Sequence, residues 1–123
     1  MNKTVKVFYD LDTWKKAHSL ALIVYKVTNH FPKTEQFGLT SQIRRAVCSI
    51  ETNIAEGFGR YYYKDKQRFF YYARGSLSET QALLILAKDL SFISNKKYSQ
   101  IFVYTETVSR LIFGLIKSLQ KQD

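Results

Sequence analysis

The sequence is poor in residues that break regular structure, with five glycines and a single proline, Pro32, among 123 residues. That scarcity excludes a loop-rich or collagen-like chain and favours long uninterrupted elements. One cysteine, Cys48, excludes a disulfide framework, which needs at least a pair. No apolar run approaches the roughly 18–20 residues that span a bilayer, so no membrane association is expected. Residues 1–10 hold no apolar signal-peptide core, which places the expected location in the cytoplasm. Acidic residues are short as well. Ten Asp and Glu face nineteen Lys and Arg, a formal net charge of +9.

Hydrophobic residues make up 46% and charged residues 24%, a balance too apolar for disorder. The length suits one domain, residues 1–123, able to bury a core without disulfides or metal. The basic excess is spread along the chain: residues 1–33 carry +4, 34–60 balance, 61–92 carry +2 and 93–123 carry +3. A balance of this kind favours a polyanionic partner, RNA or DNA, through counterion release. It also suits a protein whose charge serves solubility alone.

Apolar residues recur at helical spacing in four stretches separated by short polar breaks. The first helix is expected over 11–30, capped by Asp10 or Asp12, with Leu11, Trp14, Ala17, Ala21, Val24, Tyr25 and Thr28 as its seam. Phe31-Pro32 ends it, because the residue before proline is pushed out of the helical region. The second, over 39–57, buries Leu39, Ile43, Ala46, Val47, Ile50, Ile54 and Phe58, with Gly57 as its stop. Ser41, Arg45, Ser49, Thr52 and Glu56 form its polar stripe, with Asn53 at the border. The third, over 64–90, has a core face from Phe69 to Leu90 and a flanking strip of Gly75, Glu79, Ala82 and Leu86. Small residues seven apart, Gly75 and Ala82, admit a close neighbour, from the bundle or from a second subunit. The fourth, over 95–119, is capped by Ser94 and carries Ile101, Val108, Leu111, Ile112, Leu115 and Leu119. Four such helices on short loops bury their stripes by packing antiparallel, so the expected fold is all-α, an up-down-up-down four-helix bundle.

Catalytic machinery is hard to find. His18 and His30 form no i,i+3 or i,i+4 pair with each other or with a Glu, and no Glu-x-x-His motif exists, so no metal site and no cofactor is expected. Cys48 has no His nearby in sequence to activate it and reads as a packed thiol. Gly57-Phe58-Gly59-Arg60 lacks the Lys-Ser or Lys-Thr of a phosphate loop and follows a helix rather than a strand. A hydrolase or nuclease would want a carboxylate cluster for a metal, which the sequence does not offer. The reading is therefore not an enzyme.

Residues 60–74, RYYYKDKQRFFYYAR, stand apart. Seven aromatics interleave with Arg60, Lys64, Lys66, Arg68 and Arg74, against one acid, Asp65. Rings that stack on bases and cations that meet phosphates suit single-stranded nucleic acid. Helical spacing puts Phe69 in the core, Tyr72 at its edge, and Phe70, Tyr71 and Arg74 outward, with Tyr61, Tyr62 and Tyr63 in the loop. Outward rings are equally natural in a subunit interface, and both readings stay open.

Residues 37–59, FGLTSQIRRAVCSIETNIAEGFG, resemble a known bacterial family. So do Leu11, Trp14, Lys15 and Ala17, and later Gly75-Ser76-Leu77-Ser78-Glu79 with Leu86-Ala87. These are similar to the four-helix-bundle proteins first noticed as products of intervening sequences within bacterial 23S rRNA genes. The resemblance runs from about Phe8 to Leu119. It implies a fold related to the accessory protein of diversity-generating retroelements, a basic bundle that binds nucleic acid and its reverse transcriptase. It further implies a homo-oligomer, a ring-like pentamer, and no catalytic activity.

The matching positions are Gly38, Thr40, Ser41, Gln42, Arg44, Arg45, Asn53, Ala55, Glu56, Gly57, Gly75, Ser76 and Glu79. Two departures stand out: Glu51 replaces a proline that many relatives carry, and Tyr61 to Tyr63 replace a shorter polar stretch. The nucleic-acid candidates are thus Arg60, Lys64, Lys66 and Arg74 with Tyr61, Tyr62 and Tyr63. The oligomer-interface candidates are Arg45, Glu56, Phe70, Tyr71, Gly75, Glu79 and Ala82, with Arg45 facing Glu79 as the expected charge pair. The alternative function is a scaffold that recruits a protein partner such as a polymerase.

Overall fold

A computed structural model of the protein describes residues 4–120. Four helices carry the fold: α1 (Asp12–Thr28), α2 (Leu39–Gly59), α3 (Tyr63–Asp89) and α4 (Asn95–Gln120). Short 3-10 turns lie at Phe8–Asp10 and Lys33–Glu35, and no strand occurs among the described residues. Each helix packs on its chain neighbours and α4 closes back on α1, while the backbones of the diagonal pairs α1–α3 and α2–α4 stand further apart. The tightest pair is α2 with α3. This is the up-down-up-down bundle that the four stripes imply.

Local chemistry sets the helix ends. Leu11, not Asp10 or Asp12, occupies the cap of α1, and no side chain caps it. Asp12 instead opens the first turn, where an acid meets the positive end of the helix dipole. Ser94 caps α4 as expected, its Oγ accepting from the Lys97 N–H at 3.1 Å. The end of α3 closes with the Phe92 N–H on the Ala87 carbonyl at 2.9 Å and Ser91 at φ 63°. That conformation favours glycine, so Ser91 carries a modest strain.

The core holds most of the expected seams and corrects others. Leu20 and Ile116 are buried although neither was expected there, while Tyr25 and Leu90 lie exposed. Both continue the same row of i+3 and i+4 steps, Leu20 between Ala17 and Val24 and Ile116 one turn past Ile112. Buried threonines bond within the bundle: Thr80 donates to Ser76 O at 2.9 Å, and Thr105 to Phe102 O at 2.6 Å while accepting from Gln81 Nε2. Among the described residues no buried side-chain polar atom is left unpaired.

Gly57 is no stop. It lies inside α2, buried, and a Cβ there would stand 2.6 Å from the Phe70 ring and 3.1 Å from the Lys66 carbonyl. Its missing side chain lets α3 approach α2 closely, and Phe70 fills the space. Phe70, expected outward as an interface residue, is therefore 3% exposed. The buried series on α3 is Phe70, Ala73, Leu77, Thr80, Leu84 and Ala87, a regular alternation of three and four. Phe69, expected in the core, is displaced to the half-buried flank.

Candidate functional site

The three-residue connection from α2 to α3 brings the aromatic and basic residues to one corner of the bundle. Arg60 and Tyr62 adopt extended backbone, which turns the chain sharply between two helices. Tyr61 and Tyr62 project at that turn, 84% and 68% exposed, with their rings 5.0 Å apart and nearly perpendicular at 88°. Tyr63 opens α3 and is also exposed.

Behind the turn, Phe69 collects two guanidiniums. Arg60 lies 4.5 Å and Arg68 5.0 Å from its ring centroid, cation–π geometry for both. Tyr72 meets the same ring edge-on at 5.5 Å. Glu56 Oε2 accepts from Arg60 at 3.2 Å and Asp65 Oδ1 lies 3.6 Å from Arg68. These are exposed pairs within single helical stretches, of the kind that contributes little. One turn further on, Arg74 lies 5.0 Å from the Tyr71 ring, and both face solvent. Lys64 is exposed and has no partner among the described residues.

Lys66 does different work. Its Nζ donates to the Phe58 carbonyl at 2.7 Å and reaches the Gly57 carbonyl at 3.5 Å. It thereby gives a partner to the Phe58 carbonyl at the end of α2 and joins the Arg60 N–H on the Gly57 carbonyl. Burial pushes its pKa below the usual lysine value. Of the expected phosphate contacts, it is the one committed to holding two helices together.

The interface candidates separate in the same way. Gly75, Glu79 and Ala82 share the open face of α3, and a Cβ at Gly75 would meet nothing within 4 Å. Tyr71 is exposed, Phe70 is not. Glu56 is taken up by Arg60 of its own chain. Arg45 and Glu79 are exposed and have no ion-pair partner among the described residues.

Arg45 lies in an open groove of about 550 Å³ along α2, bordered by Tyr25, Phe37, Ser41, Arg44 and Thr52. Phe37 stands 91% exposed at its end. Arg44 is anchored there: Nε donates to Thr28 Oγ1 at 2.8 Å, and the terminal nitrogen to Asn29 Oδ1 at 3.0 Å and the Tyr25 carbonyl at 3.3 Å. Its guanidinium lies 4.7 Å from the Tyr25 ring. Cys48, expected to be a packed thiol, is half-buried and shares a hydrogen bond of 3.5 Å with the Tyr25 hydroxyl. That bond, with partial burial, holds the Tyr25 phenol above its ordinary value.

Two features escaped the sequence. Phe69 was assigned to the core, so its role as a support for two arginines was invisible until helix phase was known. His18, which sequence spacing pairs with no partner, has its Nδ1 3.0 Å from Glu51 Oε2 and its ring stacked on Trp14 at 4.7 Å. The pair ties α1 to α2. A sequence signal existed only as Glu51, the departure from proline. Among the described residues no group of three or more His, Cys, Asp and Glu could hold a metal, and no helix is long and apolar enough to cross a membrane.

Residues 9–114 match the 23S rRNA-intervening sequence protein family. The chain belongs to it. The resemblance carried by the Gly38 to Gly57 motif and its satellites is thereby shown. Among solved structures, the bundle is similar to a protein of unknown function from the S23 ribosomal protein family of Bacteroides thetaiotaomicron VPI-5482. The two share 23% identity with a TM-score of 0.77, covering 85% of this chain and 98% of that one. At that identity the likeness speaks for the fold alone. No curated protein matches the chain.

Proposed function

We propose that this member of the 23S rRNA-intervening sequence protein family is a non-enzymatic, homo-oligomeric, cytoplasmic bundle that binds RNA or DNA through phosphates with little sequence preference. The observation that carries the reading is the corner at residues 60–74. There Arg60, Lys64, Arg68 and Arg74 all face solvent among exposed rings, and among the described residues only Glu56 and Asp65 pair with them. Cations on the surface of a chain with formal charge +9 attract polyanions at modest salt. The chemistry of the corner is that of binding: cations, rings and no paired base and nucleophile.

Self-association belongs to the reading because α3 leaves a stripe of Gly75, Glu79, Ala82 and Leu86 open to solvent, small enough for a second helix to approach. The resemblance supplies the pentamer. That same stripe favours the second reading, a scaffold for a protein partner, in which Tyr71 and the open face of α3 carry recognition.

A salt titration of binding to labelled RNA and DNA, on protein whose mass is fixed by light scattering, separates the readings. Phosphate binding predicts log K falling steeply and linearly with log salt, similarly across sequences. An absence of binding at low salt by a folded protein overturns it. A monomeric mass overturns the oligomer.

A further inference from the structure

We infer that the α2–α3 turn selects single-stranded over duplex nucleic acid, with one unpaired base stacked on Tyr61 and the adjoining phosphate held by Arg60 and Arg68. The inference rests on the nucleic-acid reading above and deepens it by naming the strand state of the ligand.

The rings decide it. Tyr61 and Tyr62 stand perpendicular, so they cannot sandwich a base between parallel planes. Stacking falls on one ring. Tyr61, the more exposed, is the platform and Tyr62, edge-to-face beside it, is the brace. A platform of this kind has nothing to offer a duplex, whose bases already stack on one another and present only their edges in the grooves. Unpaired bases present their faces, and every base has one, so the platform selects strand state without selecting sequence.

The cations complete the geometry. Arg60 and Arg68 both lie against the Phe69 ring, at 4.5 and 5.0 Å from its centroid, so two guanidiniums gather beside the turn in which Tyr61 follows Arg60. Glu56 and Asp65, which hold them in the free protein, do so in exposed pairs at 3.2 and 3.6 Å. Phosphate oxygens replace such partners at small cost, because each pair is already screened by water. The nearest competitor is Tyr71, exposed as well, but Arg74 lies on the Tyr71 ring itself and competes with a base for that face. Phe113 lies on α4 with no cation on its face among the described residues, and Phe37 borders a groove whose ring-bound arginine, Arg44, already spends Nε and one terminal nitrogen on Thr28, Asn29 and the Tyr25 carbonyl.

The test compares full-chain protein with a Tyr61→Leu/Tyr62→Leu variant and a Phe113→Leu control. The probes are a short oligo-uridylate, an RNA duplex of the same length and an abasic single strand. Wild type and control are expected to bind the oligo-uridylate about tenfold tighter than the duplex or the abasic strand. The double variant is expected to lose that preference while keeping its duplex affinity and its salt slope.

Equal wild-type affinity for all three probes overturns the inference and leaves phosphate binding intact. A preference that survives the double variant overturns it too, since the stacking then lies elsewhere. A double variant whose mass by light scattering falls below that of wild type shows the rings covered by a second copy, which also overturns it. Failure of the folded wild type to bind any probe removes both this inference and the reading beneath it.

Discussion

Two corners of the bundle place an arginine on an aromatic ring, and they do opposite things. At the α1–α2 groove Arg44 lies on Tyr25 and spends Nε and one terminal nitrogen on Thr28, Asn29 and a main-chain carbonyl, all neutral acceptors. At the α2–α3 turn Arg60 and Arg68 lie on Phe69 and meet only exposed carboxylates. The first arginine is part of the framework; the other two remain available to a ligand. An arginine beside an aromatic residue is thus no indicator of binding by itself. What counts is whether its donors are already satisfied by groups that cannot move away.

The comparison breaks most completely at Gly57, on which the closeness of α2 and α3 depends. A Gly57→Val change forces side-chain atoms against the Phe70 ring and is expected to cost about 3 kcal/mol in urea unfolding. Nucleic-acid affinity should fall with it, because the turn loses its support. Unchanged stability would show that α3 relaxes freely at this point.

Substituting the arginines sharpens the contrast. Arg44→Ala is expected to lower stability by about 2 kcal/mol with little change in nucleic-acid affinity. The Arg60→Gln/Arg68→Gln pair is expected to change stability by less than about 1 kcal/mol. It should weaken single-strand binding about tenfold at low salt and flatten the salt slope by about 1.4. Urea midpoints and anisotropy titrations on the same preparations decide it; a reversed pattern would exchange the roles of the two corners.

The smallest effect is in alkali, where the corners differ in sign. Tyr25 has a folded pKa above its ordinary 10.0, so its contribution is present below that value and is lost as pH rises through the raised one. Lys66 has a folded pKa below 10.5, so the unfolded chain binds its proton more firmly and stability rises with pH between the two values. In alkali, Tyr25→Phe should remove a decline in urea midpoint above pH 10.0 and Lys66→Met should remove a rise below pH 10.5. Parallel curves for both variants and wild type would refute this assignment.

Most of the fold was legible because period and breaks carry it. Four apolar stripes, Pro32, Ser94 and short polar connections locate all four helices to within about two residues. What stayed hidden was phase at the start of α3. In a run where residues 69–72 are all aromatic, hydrophobicity cannot say which ring turns inward. Gly57 settles the matter through a close approach between helices, a long-range fact absent from any local window. Lys66 shows the same limit: its neighbours in sequence suggest a phosphate contact, while its partners are carbonyls at the end of the preceding helix. The family motif, Gly38 to Gly57, was legible in full, since resemblance does not depend on phase.

Phe69 carries no charge, yet it decides where two positive charges stand. A leucine at that position would leave the formal charge of +9 untouched and take away the common support of Arg60 and Arg68. Net charge and charge placement are therefore separately adjustable in this bundle. Two relatives with identical counts of lysine and arginine would present different fields to a ligand, according to whether a flat ring or a branched aliphatic chain stands behind the turn.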